Sequence, residues 1–184
     1  MDGPGVAITA KLPVEIRPWS GQEEEFANFM GDNRILLRAL LVWDEEASNA
    51  DEDDRSALAH LQIKTDLLLT LLSAGIRAQE PLPTQYPCEL HSDSLQITMG
   101  GDWKAPDSPV YAAIFLHPRL ALPLLLPSER FEKITTDPVL AVWRLHFQLS
   151  PNVQEMLDRL IFRHHRREVA RLRENLSAPQ TRRE

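Results

Sequence analysis

Between Leu58 and Leu72 the chain carries apolar side chains on more faces than one helix can bury by itself. Leu58, Leu61, Thr65, Leu68 and Leu72 fall at steps of three and four, the a/d spacing of a coiled coil. Ile63, Leu67, Leu69 and Leu71 widen this surface beyond the roughly 100° stripe that a globular amphipathic helix needs. The pattern predicts a helix from Asp54 to about Ala74, with an acidic first turn that suits the helix dipole and Gly75 as its stop. Such a helix requires more than one neighbour. No other long helix precedes the C-terminal one to cover it, so association through Leu58, Leu61, Thr65, Leu68 and Leu72 with further copies is expected; burial inside a single domain is the alternative.

The rest of the chain divides around this segment. Leu12 to Pro18 alternates apolar and polar residues between two prolines and reads as a short edge strand, because a strand interior needs the N–H that proline lacks. A short helix follows from Glu23 to Met30. Ile35, Leu36, Leu37, Leu40, Leu41 and Trp43 predict another, capped by Asp32 or Asn33 and fraying near Ser48 and Asn49. The a/d phase runs back through Leu37 and Leu40 but meets Asp44, Asp51 and Asp54, acids that oppose a parallel seam there.

After Gly75, a proline-punctuated linker from Arg77 to Pro87 forbids further helix. Cys88 to Met99, Val110 to His117, Leu120 to Leu126 and Val139 to Leu149 then read as strands, broken at Gly100-Gly101, Pro118 and Asp137-Pro138. Successive strands without intervening helices imply an antiparallel sheet or small barrel. Ser150-Pro151 opens a final helix in the favoured cap pairing, with Val153, Met156, Leu157, Leu160 and Ile161 as its apolar stripe. That helix would cover the sheet and then project outward.

Composition removes several function classes. The 184 residues carry 20 Lys+Arg against 27 Asp+Glu, a net charge of −7, which argues against a nucleic-acid-binding domain. The single cysteine, Cys88, excludes intramolecular disulfides and cysteine-based zinc clusters. His164 and His165 are adjacent, so on a helix they point about 100° apart and cannot share a metal. Glycines are few, which disfavours phosphate-cradling loops. Neither a signal-peptide pattern nor a membrane-length apolar run occurs, so a cytoplasmic protein without a membrane span is expected. No cofactor, metal or catalytic set is indicated. Charge is nonetheless segregated. Asp44 to Asp54 holds seven acids and no base, whereas Arg159, Arg163, Arg166, Arg167, Arg171 and Arg173 crowd the final helix. That helix presents either a solvated face or a dock for an acidic partner.

Three strings in this order resemble the atypical, tetramer-forming branch of the PilZ domain family. They are Leu61-Gln-Ile-Lys64-Thr-Asp66-Leu67-Leu68-Leu69, His117-Pro118 with Leu122-Pro-Leu-Leu-Leu-Pro127, and Leu157-Asp-Arg-Leu-Ile-Phe-Arg-His-His-Arg166-Arg167. The resemblance implies an α+β fold: a small six-stranded antiparallel barrel with a C-terminal helix, and long inserted helices that assemble four chains through heptads. It also implies a place in bacterial cyclic di-GMP signalling.

A standard PilZ domain grips the dinucleotide with an Arg-x-x-x-Arg segment before the barrel and an Asp/Asn-x-Ser-x-x-Gly turn. Two guanidinium forks match two phosphates. Here the corresponding turn runs from Leu90 to Leu95 and keeps only Ser92; Leu90 replaces the acceptor and Leu95 the glycine. The segment from Arg77 to Tyr86 holds one arginine. Loss of one buried bidentate contact costs on the order of 2–5 kcal/mol. Arg34 with Arg38, and Arg163 with Arg167, reproduce the spacing elsewhere, but on helices, where four-residue spacing simply places two charges on one face.

The expected organisation is a strand and short helix over 1–32, a helical oligomerisation segment over 33–76, a PilZ-like barrel with its C-terminal helix over 77–176, and a disordered tail over 177–184. The expected function is a non-enzymatic signalling scaffold, a homotetramer with unidentified protein partners that does not bind cyclic di-GMP by itself. The alternative is a cyclic di-GMP receptor with an altered site at Arg163, Arg166 and Arg167.

Overall fold

A computed structural model of the chain describes residues 6–46, residues 61, 65, 68, 72, 75 and 76, and residues 81–177 apart from 105, 108, 118, 119, 136 and 138. The strands are β1 (Ile8–Pro18), β2 (Gln85–Leu90), β3 (Ser94–Gly100), β4 (Val110–Ile114), β5 (Leu124–Ser128), β6 (Arg130–Lys133) and β7 (Leu140–His146); the helices are α1 (Glu23–Glu46) and α2 (Pro151–Ser177). All strand pairings are antiparallel, in the order β5-β4-β1-β2-β3-β7-β6.

β1 is central to this sheet rather than at its edge. Ile8 to Pro13 pair with β2 on one side, and Val14 to Pro18 pair with β4 on the other. Pro13 sits where the pairing changes sides. Its carbonyl accepts the Phe115 N–H, while the next residue, Val14, donates to Thr84 O. The strand turns from one neighbour to the other at the residue that has no donor to lose, which reconciles proline with a central strand.

The sheet has seven strands and is open, where resemblance implied six strands in a closed barrel. The cause lies in β5. Leu124, Leu126 and Ser128 alternate with residues whose backbone faces away from β4, namely Pro123, Leu125 and Pro127. Two of these three have no N–H, so the outer edge cannot donate a ladder. The remaining pair of groups is taken by α1: Asn33 Nδ2 donates to Leu125 O at 2.7 Å, and Leu125 N donates to Asn33 Oδ1 at 2.8 Å. At the other end of β5, Gln148 N donates to Pro127 O, and the Ser128 hydroxyl bonds the carbonyl of His146 on β7. One corner of the curled sheet is thereby tied without a closing ladder.

Other sequence expectations change accordingly. α1 is one helix through Gly31 rather than two, and Asn33 is not a cap but a fully buried side chain within it. The N-terminus is organised by Ser20: its hydroxyl accepts the Gln22 N–H, and Glu25 accepts the Ser20 N–H. Gly75, expected as a stop, is itself helical, as is Ile76. The segment Cys88 to Met99 is a hairpin turning at His91 to Asp93, and β6 had no counterpart in the periodicity. Residues 47–60, including the fraying point at Ser48 and Asn49, and the linker residues 77–80 lie outside the described residues.

α2 begins at Pro151, as its cap residues predict, and buries Val153, Leu157, Leu160 and Ile161. Ser150 N donates to Met30 Sδ at 3.2 Å, and Arg163 donates to Leu41 O at 3.1 Å. These contacts place both helices side by side and running the same way. The core joins Leu36, Leu37 and Leu40 of α1, the α2 stripe, and the inward residues Leu90, Leu95, Ile97, Leu126 and Leu145 of the sheet. Burying each such leucine stabilises the fold by roughly 1.5–3 kcal/mol. Trp103, Phe131 and Trp143 close one end of this core with ring centroids 5.1–5.7 Å apart.

Candidate ligand cleft and association stripe

The turn that would hold a dinucleotide in a standard PilZ domain is the β2–β3 turn. Leu90 and Leu95 flank it, and both point into the core with no exposure. Two positions that would carry ligand contacts are therefore core side chains. Ser92, the retained residue, is engaged by α2: its hydroxyl donates to Asp158 Oδ1 at 2.6 Å. Gln154 Nε2 donates to Ser92 O at 2.7 Å and to Asp158 Oδ1 at 2.8 Å. The turn is clasped to the helix by groups that an incoming ligand would have to displace.

Beside this clasp lies a cleft of about 520 Å³, lined by Val6, His91, Ser92, Asp93, Asp158, Ile161 and Phe162. Its floor is apolar and its charged rim is acidic. Two carboxylates and no guanidinium line it, the opposite of what two phosphates require. Glu89 adds negative charge nearby, 3.8 Å from His91 Nε2.

The arginines expected as an alternative ligand set, Arg163, Arg166 and Arg167, all lie on α2 but do not converge on that cleft. Arg163 turns to α1 and bonds Leu41 O, which ties the two helices together. Arg166 stacks over the Phe162 ring with 6.0 Å to the centroid, so it touches a residue that lines the cleft without lining the cleft itself. Arg167 is half-buried. Arg34 and Arg38 are exposed on α1, and Arg77 lies outside the described residues.

The other site read from sequence is the leucine stripe. Leu58 lies outside the described residues, as do Lys64, Asp66, Leu67 and Leu69 of the family-like string. Leu61, Thr65, Leu68 and Leu72 are helical, and Thr65 Oγ1 donates to Leu61 O at 2.9 Å, one turn back. Leu61, Leu68 and Leu72 are 61%, 66% and 64% exposed. No group of the described residues folds back over them, so within one chain Leu61, Leu68 and Leu72 face water.

The chemistry elsewhere is inert. Burial pushes the Cys88 thiol up from 9.0 to about 12, outweighing a backbone hydrogen bond from Leu12 that acts the other way, so no thiolate forms at neutral pH. Among the described residues no three His, Cys, Asp or Glu side chains group as metal ligands, and no helix is long and apolar enough to cross a membrane.

Comparison with known proteins places these features. No curated protein matches the sequence. Among solved structures, a pathogenic protein from Xanthomonas campestris, described as a new tetrameric PilZ domain self-assembled via an unusual helical bundle, superposes with a TM-score of 0.73 at 17% identity, over 92% of this chain and 93% of that one. Residues 37–174 match the family model described as an atypical PilZ domain, cyclic di-GMP receptor. The open antiparallel sheet, the C-terminal helix whose stripe is buried in the core it shares with that sheet, and this match over most of the sequence lead to one conclusion: the chain belongs to the atypical PilZ domain family.

Proposed function

We propose that this chain is a non-enzymatic, cytoplasmic scaffold of a cyclic di-GMP network, a homotetramer joined through Leu58, Leu61, Thr65, Leu68 and Leu72, and that it does not bind the dinucleotide by itself. In this reading the leucine stripe within residues 33–76 assembles the protein, while the PilZ-like body, with the start of that segment packed into its core, presents partner surfaces. The observation that carries it is the exposure of Leu61, Leu68 and Leu72 along one helical stripe. Water-facing leucines at a/d spacing are stabilised by matching stripes on other chains, at roughly 25 cal/mol per Å² buried. The tetrameric helical bundle described for the Xanthomonas campestris protein supports four copies. Repetition of one surface raises apparent affinity for a multivalent partner by about 10²–10⁴ without new contacts.

Light scattering coupled to size-exclusion chromatography tests the assembly. A tetramer is expected, dissociating when Leu61→Asp and Leu68→Asp are combined; a monomer at micromolar concentration refutes the proposal.

A second reading has one observation in its favour. Arg166 is stacked on Phe162, whose ring lines the cleft, and together they offer a guanidinium-and-ring platform on which a guanine could lie. On that reading the chain is a cyclic di-GMP receptor using Arg163, Arg166 and Arg167. Isothermal titration separates the two: the scaffold reading expects no heat of binding, and low-micromolar affinity abolished by Arg166→Ala establishes the receptor.

A further inference from the structure

The outward face of β7 carries Leu140, Val142, Arg144 and His146, alternating with the buried Ala141, Trp143 and Leu145. On β6, Arg130 stands opposite His146 and Glu132 opposite Arg144; on β3, Gln96 stands opposite Arg144. Two guanidinium groups and an imidazole thus surround a single carboxylate. That carboxylate is already taken: Arg130 donates to Glu132 Oε2 from Nε at 3.1 Å and from NH2 at 2.8 Å, while His146 lies 3.7 Å from the other oxygen. The Arg130 hydrogen bonds lower the Glu132 pKa most, with Arg130, His146 and Arg144 adding charge attraction. Arg144 is left over. Its Nε is buried with no hydrogen-bond partner, and among the described residues it forms no ion pair. A desolvated, unmatched guanidinium N–H costs more than an ordinary lost hydrogen bond and requires a reason.

At the far end of the same face, apolar side chains are held out into water. Val139 is 73% exposed and Leu140 is 55%, with Ile134 exposed beside them. Their backbone is fixed. Asp137 Oδ1 accepts the N–H groups of Val139 at 2.8 Å and Leu140 at 3.3 Å, Gly101 N donates to Val139 O at 3.1 Å, and Ile134 N donates to Val142 O at 2.8 Å. Between the tip and Arg144, Val142, Thr98 and Gln96 form one wall of a depression of about 350 Å³. α1 and α2 make their contacts with each other, β5 and β1, away from this face.

We propose that the outward face of β7, from Val139 and Leu140 to Arg144 and His146, is the docking surface for a protein segment that combines apolar and acidic side chains. The apolar groups cover the tip, and a carboxylate meets the outer guanidinium nitrogens of the half-buried Arg144, which Glu132 leaves unmatched. Charge complementarity selects this occupant: the cluster has one more fixed cation than anion, whereas the chain as a whole is acidic. The inference rests on the scaffold reading, for which it supplies the presented surface.

The test uses the full-length chain and a fluorescein-labelled peptide of about twelve alternating leucines and glutamates, read by anisotropy, with a leucine–lysine peptide of equal length as the control. The acidic peptide is expected to bind, and the lysine peptide not. Arg144→Gln and Leu140→Ser should each weaken binding by about tenfold or more, Arg144→Lys by less because it keeps charge without the fork, and Arg166→Gln on α2 by less than about twofold. Circular dichroism checks that each variant is folded; if Arg144→Gln does not fold, Leu140→Ser and Arg144→Lys carry the comparison. Absence of binding, equal binding of the lysine peptide, or indifference to Arg144 and Leu140 overturns the proposal. So does a preference for phosphatidylcholine vesicles containing about one quarter phosphatidylglycerol, which would make the surface lipid-directed. Light scattering on Arg144→Gln should still report the assembled state. A failed peptide test with assembly intact therefore removes the surface alone, whereas loss of assembly in wild type removes the scaffold reading.

Discussion

Asn33 and Leu125 exchange two hydrogen bonds, carboxamide to peptide, across 92 residues of sequence. In effect the side chain acts as one residue of a neighbouring strand. It meets β5 at the only outward position with both a donor and an acceptor, since Pro123 and Pro127 flank it. The Pro-Leu-Leu-Leu-Pro string thus has a physical role: prolines blunt a sheet edge against foreign strands, and Asn33 occupies what remains.

Asn33→Ala should destabilise the fold by about 2–4 kcal/mol, because it leaves the Leu125 N–H and C=O unpaired beneath α1. Asn33→Asp should be at least as damaging despite its shape, since a buried carboxylate cannot donate to Leu125 O and is poorly solvated. Urea denaturation followed by circular dichroism measures both. A loss below about 0.5 kcal/mol for Asn33→Ala, typical of an exposed substitution, would show that this pairing does not hold α1 to the sheet.

Thr65 is the one polar residue of the described stripe, its hydroxyl turned back to Leu61 O. Thr65→Leu makes the stripe continuously apolar. It should strengthen association by about 1–2 kcal/mol per chain, lowering the dissociation midpoint in sedimentation equilibrium. Thr65→Asp should raise that midpoint. Indifference to both would place Thr65 outside the interface.

Cys88 predicts alkaline lability. Its folded pKa of about 12 lies above the unfolded value near 9.0 because burial opposes the thiolate. The contribution to stability is therefore complete below pH 9. Above it the unfolded chain releases the proton and the folded chain does not, so stability falls between pH 9 and about 12 by roughly 1.4 kcal/mol per pH unit. Cys88→Ala should flatten this slope. Iodoacetamide should label Cys88 at pH 8 only after unfolding.

The clasp between Ser92, Gln154 and Asp158 is solvent-facing, so its loss should be mild. Asp158→Ala is expected to cost about 1 kcal/mol and to loosen the β2–β3 turn, seen as faster amide exchange at His91 to Asp93. Uniform acceleration of exchange throughout β2 and β3 would contradict a purely local clasp.

Much of this architecture was legible because it is written in short-range periodicity. The Ser150-Pro151 start of α2, its buried stripe from Val153 to Ile161, and the helical state of Leu61, Leu68 and Leu72 all follow from residues three or four apart. The departures of Leu90 and Leu95 from the family turn were equally visible, although not that both would be fully buried. The acidic cleft was not foreseen; its rim brings Asp93 beside Asp158 from distant positions, and no local spacing signals that. Nor could spacing alone send Arg163 to Leu41, which depends on how α2 is rotated against α1; the contact of Arg166 with Phe162, one turn apart on α2, was open to it.

Local sequence determined where helices and strands could form and which faces were apolar, because those properties depend on backbone geometry and neighbours within a turn. Tertiary structure alone decided that Pro13 would lie in a central strand, that Asn33 would be an edge partner instead of a cap, and that the sheet would stay open. Each of these depends on which backbone donors and acceptors remain unpaired once distant segments meet, a balance that exists only in the assembled fold.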